Sequence, residues 1–488
     1  MSVVVLGVAA VTGGLLALLA RSRPWLATAT GLVAAILAVA LARLVGSQDS
    51  ILLAGTVLAG SDAIRTIALA WAAGIALVGV ADALVGSGRG VPGSALVGLG
   101  AGVVALSSAD AGLGFALLTA GSIVAAIGPL ALGPEASGEI EISGPRTLRP
   151  IVAAGLLALL AVAWGASAVG PFAAVVPEGP TDPTVEIAIG LGFLAVVGAV
   201  IIRLGALPAH VWAARFVESA NAGAIPSTLG WGAAGFGLVA LAWVEVTIAP
   251  VGAPLTTERT MIAVVAIASI LLGAIAAFLH DDLEHILGYS IVQDAGVALL
   301  AFSAGGPEAA TAGRDWLVAM AAVKSGLAAW LLVTRSTFGV RRLSVLHGWA
   351  RSSPVLGIAF VVVLIGAVGL PGMAAFEARG ALIERAVGAP LGTVVLLAAF
   401  APLIYLGRVL AAGVGRTSDA VLAAGDLGPA LRRFQPEGWT VTSAVTVVRA
   451  VPGLVRANRF TLAAASALAV ALIGLAVATG GVGPAGSG

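Results

Sequence analysis

Apolar runs of bilayer length recur along the whole of this chain, and nothing else constrains its fold as strongly. They fall at about 3–20, 25–46, 63–85, 92–108, 111–133, 151–171, 186–207, 225–249, 260–279, 286–304, 312–334, 354–388, 391–411 and 461–479. A helix rises ~1.5 Å per residue, so ~20 apolar residues cross the hydrocarbon core. Lipid offers no hydrogen bonds to the backbone, so each run must close its own as a helix. The runs therefore predict an all-α polytopic membrane protein of about 14 transmembrane helices. Composition agrees: 59% of the 488 residues are hydrophobic, 10% are charged, and mean hydropathy is +1.09. Soluble domains do not have this balance.

The same composition excludes whole classes of function. A net charge of +1 argues against nucleic acid as a partner. With no cysteine there is no disulfide, iron–sulfur cluster or thiolate metal site. His210, His280, His285 and His347 show no metal-binding spacing, so no metal and no cofactor is expected. The first twenty residues lack a charged n-region and read as a first span rather than a signal peptide.

Arginines give the chain a direction. With the N-terminus outside, one set of connections carries Arg21, Arg23, Arg89, Arg146, Arg149, Arg335, Arg341, Arg342 and Arg351, and then the arginines from Arg416 to Arg459. The other set carries Glu178, Asp182, Glu186, Glu258, Glu308 and Asp315. Positive charge marks the cytoplasmic side, which puts both termini on the non-cytoplasmic face of the inner (plasma) membrane. The expected divisions are helices 1–3 in 1–91, a first repeat of helices 4–8 in 92–249, and a second in 250–411. A cytoplasmic or interfacial segment at 412–460 and a last helix with its tail at 461–488 complete the chain.

Within this apolar frame one residue stands out. Lys324 is the only lysine among 25 basic residues, and it lies near the middle of the run 312–334. Counted along the helix it sits ~18 Å in, close to the membrane centre. A cation there costs at least ~2.5–3.5 kcal/mol and by default faces protein or water. Arginine stays protonated, whereas a buried lysine can release its proton.

Two spans carry helix breakers. One is Arg203-Leu204-Gly205-Ala206-Leu207-Pro208-Ala209-His210, in the seventh span. The other is Gly369-Leu370-Pro371-Gly372 ahead of Phe376-Glu377-Ala378-Arg379, in the twelfth. Freed backbone groups are tolerated in a membrane only against protein or water. The breaks lie an odd number of spans apart, so the two halves are expected to be inverted five-helix repeats, as in many transporters. Paired proline kinks in ordinary helices are the plainer alternative.

These residues resemble motifs of the antiporter-like membrane subunits of bacterial NADH:quinone oxidoreductase (L, M and N, nearest N) and of Mrp-type Na⁺/H⁺ antiporters. The family's G-F-K-x-x-x-V-P-F-H-x-W resembles the run to Trp212, with Arg203 at the lysine and His210 at the histidine. Its D-L-K-R-L-L-A-Y-S-S-I-x-H-x-G resembles Asp282 to Gly296, with Asp294 at the histidine. Its H-A-x-x-K places Lys324 on the lysine and Met320 on the histidine, and G-x-P-P-x-x-G-F-x-x-K ends here on Arg379. The resemblance covers roughly residues 92–411.

It implies an energy-coupling subunit beside sister membrane subunits in a respiratory or cation-antiport complex. Protons or Na⁺ would move along the membrane midplane between titratable groups. The departures bear on that role. Arg203 and Arg379 replace lysines, Gly232 stands at the eighth-helix lysine, and the fifth span has no glutamate. Asn221 and Gly223 replace two prolines, and Arg215 an aspartate. A relay needs groups that change charge near working pH, which arginine cannot do. The remaining candidates are Lys324, Asp294, His210, Glu218 and Glu377, with Arg203 and Arg379 as fixed charges. A free-standing secondary transporter or a membrane transferase is the alternative, with Asp281, Asp282 and Glu284 as the acidic group a transferase would use.

Overall fold

The computed structural model describes residues 2–46, 49–53, 55–85, 91–131, 136–168, 183–220, 222–338, 341–388 and 390–416. The expected last span at 461–479 lies outside the described residues, as does the 412–460 segment beyond Arg416. So do Arg89, Glu178, Asp182 and Asn221.

The apolar runs become helices in the expected order. The first half contains α1 (Ser2–Leu19), α2 (Pro24–Ala42), α3 (Asp62–Val85), α4 (Val91–Ser107), α5 (Ala111–Ala131), α6 (Ala136–Ala168), α7 (Pro183–Leu204) and α8 (His210–Ser219). The second half contains α9 (Gly232–Trp243), α10 (Thr256–Leu279), α11 (Leu283–Ala304), α12 (Pro307–Phe338) and the short α13 (Trp349–Ser352). It ends with α14 (Pro354–Val368), α15 (Ala374–Val387), α16 (Leu391–Ala399) and α17 (Pro402–Val414). Among the described residues, 11 helical segments are long and apolar enough to cross a membrane, and Val91–Ser107 and Pro354–Val368 are shorter apolar helices.

One connection departs from the all-helical expectation. β1 (Ser50–Leu53) and β2 (Thr56–Ala59) pair antiparallel, Ser50 opposite Ala59 and Leu53 opposite Thr56. Their β-branched and leucine content favours a strand, and Gly55 at φ +86° turns the chain between them. Two spans are less regular than the sequence suggests. The eighth enters α9 through a π-helical stretch, Pro226–Trp231, and leaves it through a second, Val244–Ile248. The thirteenth is broken between α16 and α17, where Gln293 Nε2 donates to the carbonyls of Ala398 (3.1 Å) and Ala399 (3.2 Å).

The centre of the protein is α11 and α12. Their most apolar windows are 94% and 89% buried, against 33% for α1. Charged groups on these two helices therefore face protein, not lipid. α10 and α11 approach to backbone contact because both carry glycine where they meet. A Cβ at Gly273 would lie 2.5 Å from Gln293 N, and one at Gly296 would lie 2.6 Å from Ala266 O. Small residues at a helix interface allow the close packing that holds membrane helices together.

A buried lysine–aspartate pair between two broken helices

Lys324 and Asp294 meet at the centre. Lys324 Nζ lies 2.7 Å from Asp294 Oδ2 and donates to Ser290 Oγ at 2.9 Å. Ser290 and Asp294 are i,i+4 on α11 and share one face, which turns to α12. Lys324 is 2% exposed, Ser290 0% and Asp294 7%. A charge so deeply placed is stable only when paired and hydrogen-bonded, and here each charge supplies the other's partner. Next along α12, Ser325 Oγ accepts from Trp231 Nε1 at 3.0 Å, and Trp231 stacks on Trp71. These rings tie α12 to α3 of the first half.

At the first break, α7 carries Arg203 in its last turn and ends at Leu204, and the chain turns through Gly205 at φ +72° and a cis Leu207–Pro208 bond before α8. Glycine is required at 205, since a Cβ there would lie 2.5 Å from Ala213 Cβ. The freed carbonyl of Ile202 is taken by Trp212 Nε1 at 2.7 Å. Arg203 points away from the break: Nη2 donates to Ser122 Oγ (2.6 Å) on α5 and to Thr228 O (2.9 Å). Its Nε and Nη1, together with Thr228 Oγ1, have no hydrogen-bond partner among the described residues. Gly232 lies against this group, because a Cβ there would be 2.8 Å from both Arg203 Nη2 and Ser122 Oγ. The guanidinium thus fills the space where the resemblance places an eighth-helix lysine.

The second break is built differently. α14 ends at Val368, Gly369 takes φ +66° and Gly372 φ +86°, and α15 begins at Ala374. Arg379 folds back over the gap and donates from Nη1 to Val368 O (2.7 Å) and from Nη2 to Ala367 O (3.0 Å). Its Cζ lies 4.8 Å from the Trp316 ring centre and 4.9 Å from that of Phe400. Trp316 Nε1 in turn donates to the main-chain carbonyl of Asp294 at 3.0 Å. Arg379 is within electrostatic reach of Asp294, and so is the buried Tyr405.

The other candidates are placed apart from the pair. Glu377 is exposed and accepts from Gly372 N at 3.2 Å, bracing the second break. Glu218 is exposed near the end of α8. His210 opens α8 with its ring centre 6.5 Å from that of Tyr289. The acidic turn before α11 is engaged in holding the loop 341–346. Asp281 accepts from Ser344 Oγ at 2.6 Å, Asp282 caps α11 through Glu284 N at 2.8 Å, and Glu284 pairs with Arg335 (2.5 Å) and Arg341 (3.3 Å). Among the described residues, no group of three or more His, Cys, Asp or Glu is arranged to hold a metal ion. Outside the spans, partial burial and then the neighbouring His285 lower the His280 pKa from 6.5.

Sequence reasoning missed Ser290, Ser122, Thr228 and Trp316. Ser290 had a usable signal, its i,i+4 spacing from Asp294 (Tyr289-Ser290 within the quoted motif). The others touch the site from distant spans.

These features define a class: a polytopic helical membrane protein with two broken helices and a buried cation–carboxylate pair between them. Residues 158–404 match the family described as NADH:quinone oxidoreductase/Mrp antiporter, TM, and the chain belongs to it. The chain is 32% identical over 263 residues to NADH-quinone oxidoreductase subunit N 1 of Streptomyces griseus, a match covering 52% of each. It is 26% identical over 251 residues to NADH-quinone oxidoreductase subunit N of Nitrosomonas europaea, covering 51% of this chain and 50% of that one. The chain spans about half the length of the curated relatives it matches. Its fold is similar to that of a chain of respiratory complex I from Thermus thermophilus with bound NADH (TM-score 0.68, 20% identity, 96% and 99% of the two chains covered). It is also similar to a chain of the Mrp complex from Dietzia sp. DQ12-45-1b (TM-score 0.67, 18% identity, 98% and 94% covered).

Proposed function

We propose that the chain is a proton- or cation-translocation-type subunit of a respiratory NADH:quinone oxidoreductase-like or Mrp-like complex, working beside sister membrane subunits. We assign it a shortened midplane route through Lys324 and Asp294. The observation that carries this reading is the buried pair itself, Lys324 Nζ at 2.7 Å from Asp294 Oδ2. The Glu284–Arg335 pair joins the same two helices, but its arginine stays protonated, whereas both members of the Lys324–Asp294 pair can take up and release a proton. An ammonium and a carboxylate in this geometry can hand on a proton and be reset by the approach of another charge.

Arg203 and Arg379 act in this scheme as fixed charges, and Gly232 contributes room, not a proton. His210 supports supply, whereas Glu218 and Glu377 serve locally. In this reading the repeats 92–249 and 250–411 are inverted halves, 1–91 carries helices 1–3, 412–460 is a cytoplasmic or interfacial segment, and 461–488 carries the last helix and tail. Both termini face the non-cytoplasmic side, as the arginine asymmetry indicates. Engagement of Asp281, Asp282 and Glu284 in loop contacts leaves the transferase alternative without its acidic site.

The test is coupled ion movement in energised vesicles. Lys324→Met and Asp294→Asn should each lower it by about 10-fold or more, the scale of a lost acid–base group. Membrane insertion should persist in both. Full activity in both variants would overturn the assignment.

A further inference from the structure

The chain has only four histidines and two tyrosines. Three of those histidines and one tyrosine are gathered into a continuous run of rings. His285 stacks on His280 (ring centres 4.7 Å, planes 15° apart), and His280 stacks on Tyr289 (5.0 Å, 8°). Tyr289 meets His210 at 6.5 Å. None of the four rings is fully buried. Chance would not place most of a chain's imidazoles in one continuous run of rings.

The run also has the right depth. It starts at the turn between α10 and α11. Tyr289 lies about 9 Å along α11 from Leu283, and Ser290, which binds Lys324, lies at about 10 Å. The rings therefore run from the membrane face to the level of Ser290, the hydroxyl that binds Lys324. At the inner end, His210 Nδ1 is buried with no hydrogen-bond partner among the described residues.

We propose that His285, His280, Tyr289 and His210 form a proton-uptake port that supplies the Lys324–Asp294 pair from the face where α10 turns into α11. The inference rests on the function proposed above and deepens it. Each imidazole gains a proton at one nitrogen and releases the proton of the other, by way of water at the ring edges. The tyrosine hydroxyl accepts one proton and gives up its own. Every relay group thus returns to its neutral form, and one proton reaches whichever of Lys324 and Asp294 has just lost its own.

The surrounding charges suit that task. Asp282 Oδ1 lies 3.7 Å from His285 Nδ1. Asp281 stands at the same turn, held by Ser344. From α17, Arg408 donates to the carbonyls of Phe278 and His280 and sets a positive charge against the His280 ring. Glu284 is neutralised by Arg335 and Arg341 and lies within reach of Glu218 on α8, where Arg215 also stands. Burial and His285 make the His280 imidazolium a readier proton donor than an ordinary histidine.

The test uses the full chain and pairs two measurements. In lipid nanodiscs, histidine nitrogen resonances assigned by single His→Phe variants give each protonation midpoint, with the exposed His347 as internal control. The port requires Lys324→Met to move the midpoints of His210 and His280 while that of His347 stays fixed. Unmoved midpoints would overturn it. In energised liposomes, the paired variant His280→Phe/His285→Phe keeps the stacking but cannot carry a proton. It should slow proton movement by about tenfold at alkaline pH, where supply is limiting, and leave it near wild type at acidic pH. A wild-type profile would mean that the rings serve only packing, and the port falls. Lys324→Met run alongside separates the two claims. If that variant is fully active, the proposed function fails and the port is decided by the midpoints alone.

Discussion

The two broken helices look alike in sequence and are held together by opposite means. At the first, an indole (Trp212) takes the freed carbonyl of Ile202, and the arginine looks away from the gap towards Ser122 and Thr228. At the second, the arginine itself spans the gap and holds two carbonyls between the faces of Trp316 and Phe400. Arg379 is therefore part of the backbone's hydrogen bonding. Arg203 is a charge in store: fully buried, with no charged residue acting on it among the described residues. The same substitution, arginine where the family has lysine, thus carries two meanings, and local geometry decides which.

The contrast is sharpest in mutants. Arg379→Ala strands one buried and one half-buried carbonyl and deletes charge-assisted bonds worth about 1.5–3 kcal/mol each, so thermal unfolding in detergent should show a loss of about 3–5 kcal/mol. Lysine at 379 has a point charge that cannot hold both carbonyls at once and should recover less than half of it. An Arg379→Lys variant as stable as wild type would erase the distinction between the breaks.

Next in size is Gly232→Ala. The new methyl meets Ser227 O at 2.6 Å and Arg203 Nη2 at 2.8 Å. Overpacking of this kind costs about 1–3 kcal/mol. In an Arg203→Ala background the part of that loss due to the guanidinium should vanish, while the part due to the Ser227 carbonyl and Ser122 Oγ remains. A loss of the same size in both backgrounds would show that the two positions are uncoupled.

Arg203→Met should change stability least among the charge deletions. It forfeits hydrogen bonds to Ser122 and Thr228 but also removes an unpaired buried charge, and the two effects leave a balance within about 1 kcal/mol of zero. Calorimetry placing it level with Arg379→Ala would contradict the whole comparison.

The smallest effect lies outside both breaks. The His280 pKa is lowered by folding, so its contribution is complete above pH 6.5 and is lost as the pH falls through the folded-state value. Unfolding temperatures of wild type and His280→Phe should therefore converge on moving from pH 7.5 to pH 5.5 (about one unit either side of 6.5).

Much of this architecture could be read from the chain because membrane physics writes it in one dimension. Run length gives spans, breakers give interruptions, and a lone lysine marks the centre. The hairpin at Ser50–Ala59 escaped because two four-residue strands between spans carry too little periodicity to distinguish strand from loop. Lys324 and Asp294 were both legible as candidates, but their direct contact was not, because it joins positions thirty residues apart and spacing along one helix says nothing about its neighbour. The different tasks of Arg203 and Arg379 were illegible for a related reason. Both follow from where a long side chain turns, and the direction of that turn is set by Ser122, Trp316 and Phe400 on other spans.

One feature of the pair gives it an unusual reporter. Because Lys324 is the only lysine in the chain, protein grown on nitrogen-15 lysine holds a single labelled side-chain nitrogen. That nitrogen sits 2.7 Å from a carboxylate oxygen and 2.9 Å from a hydroxyl, so its chemical shift answers directly to who holds the proton. In most membrane proteins such a signal would be lost among dozens. Here the spectrum of one resonance is the state of the site.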